Sequence, residues 1–147
     1  FCSYHEIVDA LKKQFPKAVT ITGRDSLVEK QAAVDSFQAG HSKLAICSIK
    51  AAGVGLTLTA SSNVAFIELA WTYADCCQCE DRCHRIGQKD NVTCYYLLGQ
   101  NTIDRVLYNI IHEKKSIANQ ILGTDDDVPT DQLYFEELVN MFMSNGC

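Results

Sequence analysis

Ala18-Val-Thr-Ile-Thr22, then Ser26-Leu-Val-Glu29 running on to Phe37, then Lys43-Leu-Ala-Ile-Cys-Ser-Ile49: these three consecutive segments decide the fold. The first is short and β-branched, which suits a strand, and Gly23 closes it. Ser26 and Glu29 stand at capping-box spacing, where hydroxyl and carboxylate satisfy each other's orphan backbone N–H groups. A helix therefore opens at Ser26 and runs through Phe37, and Gly40 stops it. The third segment is apolar and again reads as a strand. Strand, helix, strand in that order is the pattern of a crossover between parallel strands.

The alternation extends outward. Upstream, Glu6–Phe15 sets Ile7, Leu11 and Phe15 at helical spacing, and Pro16 ends the run. Downstream, the small-residue turn Ala51-Ala-Gly53-Val-Gly55 leads to a strand at Asn63–Glu68 and a helix at Tyr73–Arg85. A strand at Asn91–Leu98 and a long helix at Thr102–Leu122 follow. Strands separated by helices imply an α/β fold with a mostly parallel sheet covered on both faces. Such folds bind ligands beyond the carboxyl ends of their strands. We expect a body over residues 1–122, then an acidic linker at Gly123–Thr130 and a short helix at Leu133–Met143 within 123–147.

Of the 147 residues, 47% are hydrophobic and 21% charged, a composition that excludes a disordered chain. The longest apolar runs, near Leu44–Ile49 and Val64–Trp71, are too short to span a bilayer, and no basic-then-apolar leader opens the chain, so no membrane association is expected. Phe1 sits in what reads as a strand end, so we expect a piece of a longer polypeptide. Eight cysteines could frame a disulfide scaffold, but a chain this long with strong helical periodicity needs no staples. An intracellular, reducing setting is expected: cytoplasm or nucleoid in a bacterium, nucleus in a eukaryote. The net charge of −5 conceals an asymmetry. Residues 124–147 carry six acids and no Lys or Arg, while the preceding 123 hold 12 acids and 13 bases. A near-neutral body can still present a local basic face to a polyanion.

The stretch Gln78-Cys-Glu-Asp81-Arg82-Cys-His84-Arg85-Ile-Gly-Gln88 carries the chemistry. On a continuous helix, at about 100° per residue, Gln78, Arg82 and Arg85 share roughly 60° of arc. Two guanidiniums and an amide on one side suit a phosphate or a carboxylate, because arginine offers a planar fork of donors. From spacing alone, a solvated face whose arginines pair with Glu80 or Asp81 is the simpler reading. Cys76, Cys79 and Cys83 fall on the opposite arc. They read as small apolar residues packing the helix onto the sheet. Paired CxxC motifs at zinc spacing are absent from the sequence, and no metal is expected. Ser48, Lys50, Gly53, Gly55 and Thr57 follow the Lys43–Ile49 strand, where small residues and hydroxyls suit a phosphate backbone, but also any tight turn. No G-x4-G-K-[ST] phosphate loop occurs.

The spacing Gln78-x-x-Asp81-Arg82-x-His84-Arg85-Ile86-Gly87-Gln88 resembles motif VI of the Snf-type helicase-like ATPases of superfamily two. Ser48-Ile-Lys-Ala-Ala-Gly53-Val-Gly55-Leu56-Thr57-Leu58 resembles their motif V, in a form nearest the annealing-helicase branch. Phe1-Cys-Ser-Tyr-His5 and the helix after it resemble motif IV, and Thr22-Gly23-Arg24 with Glu29–Phe37 resembles the next family segment. One departure is Thr72-Tyr73, where the family usually has Asn-Pro after the tryptophan.

The resemblance implies a RecA-like three-layer α/β domain, the second lobe of an ATP-dependent double-stranded DNA translocase. ATP and Mg2+ would lie in the cleft against the N-terminal RecA-like lobe of the same polypeptide, which would supply the P-loop. Arg82 and Arg85 would act as arginine fingers, with Gln78, Gly53, Gly55 and Gln88 at the nucleotide. Ser3, His5, Ser48, Lys50 and Thr57 would meet double-stranded or branched DNA. This chain alone would not hydrolyse ATP. Three rivals stay open: a non-catalytic nucleic-acid or protein binding module from a degenerate ATPase, a cysteine-based metal or redox domain, and an RNA helicase lobe.

Overall fold

The computed structural model describes residues 1–52 and 55–122, with side chains described for 1–51 and 55–112. The expected linker and helix of 123–147, and Gly53, lie outside the described residues. Among the described residues nine elements follow in order: α1 (His5–Gln14), β1 (Val19–Ile21), α2 (Leu27–Gln38), β2 (Ala45–Cys47), α3 (Ile49–Ala52), β3 (Asn63–Phe66), α4 (Tyr73–Glu80), β4 (Thr93–Tyr96) and α5 (Ile103–Leu122). The capping box is in place: the Ser26 N–H donates to Glu29 Oε2 at 2.8 Å, and the Glu29 N–H donates to Ser26 Oγ at 3.3 Å.

Every strand pairing is parallel. Val19, Thr20 and Ile21 of β1 stand opposite Ala45, Ile46 and Cys47 of β2, and β3 pairs with β4 from Asn63–Thr93 to Phe66–Tyr96. Phe1 and Cys2 join the two pairs. The Cys2 N–H donates to the Cys47 carbonyl (3.1 Å), and the Ile49 N–H donates back to the Cys2 carbonyl (2.9 Å). On the other edge the Phe1 nitrogen donates to the Ala65 carbonyl (2.5 Å), and the Ile67 N–H donates to the Phe1 carbonyl (2.9 Å). The spatial order is therefore β1, β2, Phe1–Cys2, β3, β4.

Successive residues in a strand face opposite sides, and β2 shows it. Cys47 joins Ile21, Val64 and Phe66 in the main core, covered by Val34 and Phe37 of α2 and by Cys76 and Cys79 of α4. Ile46 turns the other way, into a cluster with Cys2, Ala18 and Val8 of α1. A third cluster, with Leu69, Tyr73, Leu107, Ile110 and Ile111, docks α5 against α4. An aromatic series crosses the sheet: Phe1 stacks on Phe66 (5.6 Å), Phe66 on Tyr96 (4.8 Å), and Tyr96 meets the edge of Tyr108 (5.3 Å). The Tyr96 hydroxyl donates to a carboxylate oxygen of Glu80. Burial and that acceptor hold the phenol above its usual range.

The structure departs from expectation in two places. The small-residue turn begins as one helical turn, α3, and Gly55 then takes a left-handed φ of +48°. More consequentially, α4 ends at Glu80, not Arg85. The Arg82 carbonyl, which a longer helix would offer to residue 86, instead accepts the Leu58 N–H at 2.8 Å. Residues 81–83 close as tight turns, with Arg82 N–H on the Cys79 carbonyl and Cys83 N–H on the Glu80 carbonyl.

The cysteine stripe packs as read. Cys76, Cys79 and Cys83 are buried in the main core with Cys47. Burial pushes the Cys47 and Cys76 thiols up to about 12 and Cys83 to about 11, and raises Cys79 as well. Replacing Phe66, fully buried between two aromatic rings, by alanine should cost about 3–5 kcal/mol in denaturant unfolding. A loss below about 1 kcal/mol would remove the aromatic series from the core account. The thiols also set a pH dependence. Unfolded thiols ionise near 9.0 and the folded ones later, so the folded state retains protons that the unfolded state gives up. Stability should hold below about pH 9 and fall as pH climbs towards 12. Alkylation at about pH 8.5, the ordinary thiol pKa, should spare these four cysteines until denaturant is added.

Candidate nucleotide and nucleic-acid interface

The arginine segment is held by the loop that carries the chain from α3 to β3. Three tethers join them: Leu58 N–H to the Arg82 carbonyl (2.8 Å), Arg85 Nη1 to the Gly55 carbonyl (3.4 Å), and Gln88 Nε2 to the Ser61 carbonyl (2.8 Å). Gly87, at φ +106°, lets the chain turn between Arg85 and Gln88. The structure thus brings together the two segments read from sequence as motifs V and VI.

Arg82 and Arg85 differ in a way the helical wheel did not foresee. Arg85 is exposed, whereas Arg82 is 5% exposed and its Nε has no hydrogen-bond partner. Burial, and then the charge of Arg85, lower the Arg82 pKa. Among the described residues neither arginine forms an ion pair, contrary to the expected pairing with Glu80 or Asp81. Glu80 takes the Tyr96 hydroxyl, and Asp9–Arg24 (3.0 Å) is the ion pair found among the described residues. Among the described residues these two guanidiniums, one nearly buried, therefore have no ion-pair partner. Burying unpaired charge is costly, so the arrangement favours an anionic ligand from outside.

Gln78 is exposed on the last turn of α4. Gln88 is occupied: its Nε2 also donates to the Cys83 carbonyl (3.2 Å), and its Oε1 accepts the Lys89 and Asp90 N–H groups at 2.9 and 3.1 Å. It clamps the turn to the chain's own backbone.

The other expected residues follow carboxyl ends of strands. Ser48 is buried beyond β2, its N–H donating to the Ile21 carbonyl (2.9 Å) and its Oγ accepting the Ala51 N–H (3.4 Å). Its side chain caps α3 and offers nothing to solvent. Lys50 and Thr57 are exposed. Ser3 and His5 flank the start of α1, and the His5 Nδ1 is buried without a partner. Sequence reading missed Glu68. Its Oε2 accepts the N–H groups of Ser3 (2.8 Å) and Tyr4 (3.1 Å), fixing the turn into α1. An acid ending an apolar strand run was the available signal. Among the described residues, no group of three His, Cys, Asp or Glu side chains stands ready for a metal. No helix of the described residues is long and apolar enough to cross a membrane.

Residues 1–87 match the family described as "Helicase conserved C-terminal domain". A Caenorhabditis elegans homolog of SWI/SNF-related matrix-associated actin-dependent regulator of chromatin subfamily A-like protein 1 is 37% identical over 134 residues, covering 87% of this chain and 19% of the relative. The human DNA annealing helicase and endonuclease ZRANB3 is 36% identical over 116 residues, covering 78% of this chain and 11% of the relative. The chain thus spans about a fifth or less of these relatives. The crystal structure of the C-terminal part of the Fun30 ATPase domain superposes with a TM-score of 0.76, over 98% of this chain and 47% of that one, at 21% identity. That likeness shows the RecA-like α/β fold. The chain therefore belongs to the helicase conserved C-terminal domain family, and its relatives include a SWI/SNF-related regulator of chromatin and a DNA annealing helicase, in keeping with the family that Gln78–Gln88 resembles and the branch that Ser48–Leu58 resembles.

Proposed function

We propose that this chain is the second lobe of an ATP-dependent, double-stranded DNA translocase, with residues 1–122 as the lobe and 123–147 as an acidic linker and short helix. The observation that carries the reading is the pair of arginines without an anion, one buried with an orphaned Nε, clamped by backbone to the glycine loop. A nucleoside triphosphate held with Mg2+ by an N-terminal lobe would supply the missing charge. In this reading the exposed Arg85 reaches the γ-phosphoryl group, and Arg82 stabilises the spread of negative charge from behind it. Gln78 and Gly55 are assigned to the same approach, and Gly53 is assigned to the nucleotide from the sequence motif alone. Gln88 is assigned to positioning, because its amide is already spent.

DNA contact is assigned to the carboxyl-end residues. Lys50 and Thr57 are exposed and suit phosphates, while Ser3 and His5 stand where Glu68 fixes the chain. Backbone contact without base readout fits movement along any sequence. The chromatin and annealing roles printed in the relatives' names suggest a nuclear setting and duplex or branched DNA for a longer protein carrying this lobe. The packed thiols take away the support for a cysteine-based metal or redox reading.

The test is ATP hydrolysis by a longer polypeptide carrying both lobes, with and without duplex DNA. Arg85→Ala should leave nucleotide binding within a few-fold and lower turnover by about three orders of magnitude or more. Equal turnover in variant and wild type would sink the assignment, and no hydrolysis by wild type would point to a non-catalytic binding lobe. Gln88→Ala should behave differently. It should cost about 1–3 kcal/mol of stability by freeing buried backbone groups, with the KM for ATP unchanged in the folded fraction. A raised KM at full stability would return Gln88 to the nucleotide.

A further inference from the structure

The Tyr96 ring of β4 has three aromatic neighbours. It stacks on Phe66 almost parallel, at 4.8 Å, and meets Tyr108 and His112 edge-on at 5.3 and 5.5 Å. Packed rings leave it no room to turn, so its hydroxyl stands at a fixed point on the α4 face of the sheet. There the Glu80 carboxylate accepts it. Glu80 is the last residue of α4, and its own carbonyl accepts the N–H groups of Cys83 and His84, both at 3.0 Å. One residue thus joins β4, through its side chain, to the turn that carries Arg82 and Arg85, through its main chain. The carboxylate also lies close to the core: burial first, and in smaller part the charge of Glu80, raise the Cys76 thiol. An apolar pair at 80 and 96 would fill this corner without desolvating a charge. The hydroxyl–carboxylate bond adds direction, because it fixes a distance and an angle where apolar packing tolerates many.

We propose that Tyr96 and Glu80 are positioning residues for the arginine turn, their bond setting the end of α4 so that Arg82 and Arg85 face an incoming phosphate. The inference rests on the reading of those arginines as facing a nucleotide, which neither Tyr96 nor Glu80 would itself touch. Upstream of the pair, Cys76 and Cys79 seat α4 in the main core. Downstream, the Arg82 carbonyl takes the Leu58 N–H at 2.8 Å. Glu80 stands between these two anchors, where the regular helix stops and the turn begins. The side-chain bonds from Arg85 to Gly55 and from Gln88 to Ser61 run to the loop that precedes β3. The Tyr96 bond runs to a strand. It refers the turn to the sheet, where the other two refer it to a loop.

ATP hydrolysis and hydrogen–deuterium exchange, both on a longer polypeptide carrying both lobes, test it together. Tyr96→Phe keeps the ring and removes the hydroxyl. It should lower kcat about tenfold with the KM for ATP within about twofold. It should also speed exchange of the Leu58 amide about threefold or more. Glu80→Gln retains an acceptor and should match wild type in both readouts. Glu80→Ala should match Tyr96→Phe, and the double variant should lose no more than either alone, because a single bond is removed. Additive losses in the double variant, a Glu80→Gln variant as slow as Glu80→Ala, an unchanged kcat in Tyr96→Phe, or unchanged exchange at Leu58 would each overturn the proposal. Wild type without hydrolysis would strike the ATPase reading instead, and exchange at Leu58 would then decide alone whether the pair positions the turn.

Discussion

The hydrogen bonds of two residues, Phe1 and Cys2, make one sheet out of two strand pairs. Each residue spends its backbone on one neighbour, Cys2 on β2 and Phe1 on β3. Their side chains divide in the same way, Cys2 into the α1 cluster and Phe1 onto Phe66 in the main core. The main core that covers Cys47 and Phe66 together exists because this joint holds β2 and β3 in one plane. The arginine segment rests on that core through Leu58 and Cys83, so its position depends on the joint as well.

Charge organises the rest. A buried guanidinium is tolerated in proteins when something answers it. Among the described residues Arg82 has no ion-pair partner, and the repulsion from Arg85 outweighs the attraction of Asp81. The neighbouring acid Glu80, in reach by sequence, is committed to Tyr96. A guanidinium held in this way costs free energy that the surrounding packing must offset, and the proposed anion would relieve that cost.

Local signals were legible in the sequence. The capping box at Ser26 and Glu29, the order of helices and strands, and the Cys76, Cys79, Cys83 stripe all follow from spacing within one element. What failed was set from a distance. The end of α4 depends on the Leu58 N–H, 24 residues away in the chain, and no pattern within Tyr73–Arg85 announces it. With the helix cut short, Arg82 moved from an expected open face into the interior. Ser48 and Gln88 carry motif-like residue types whose polar groups the fold uses internally, which spacing cannot reveal. Glu68 was overlooked because its partners are the backbone of Ser3 and Tyr4, some 65 residues earlier.

The bond between Leu58 and Arg82 is main chain to main chain. Side-chain replacement at either position leaves its donor and acceptor untouched, and proline at 58 is the substitution that removes the donor. The geometry of the arginine turn is thereby insulated from mutation at its own anchor points. Such a lobe can exchange the chemistry of its charged residues while keeping the place where they act.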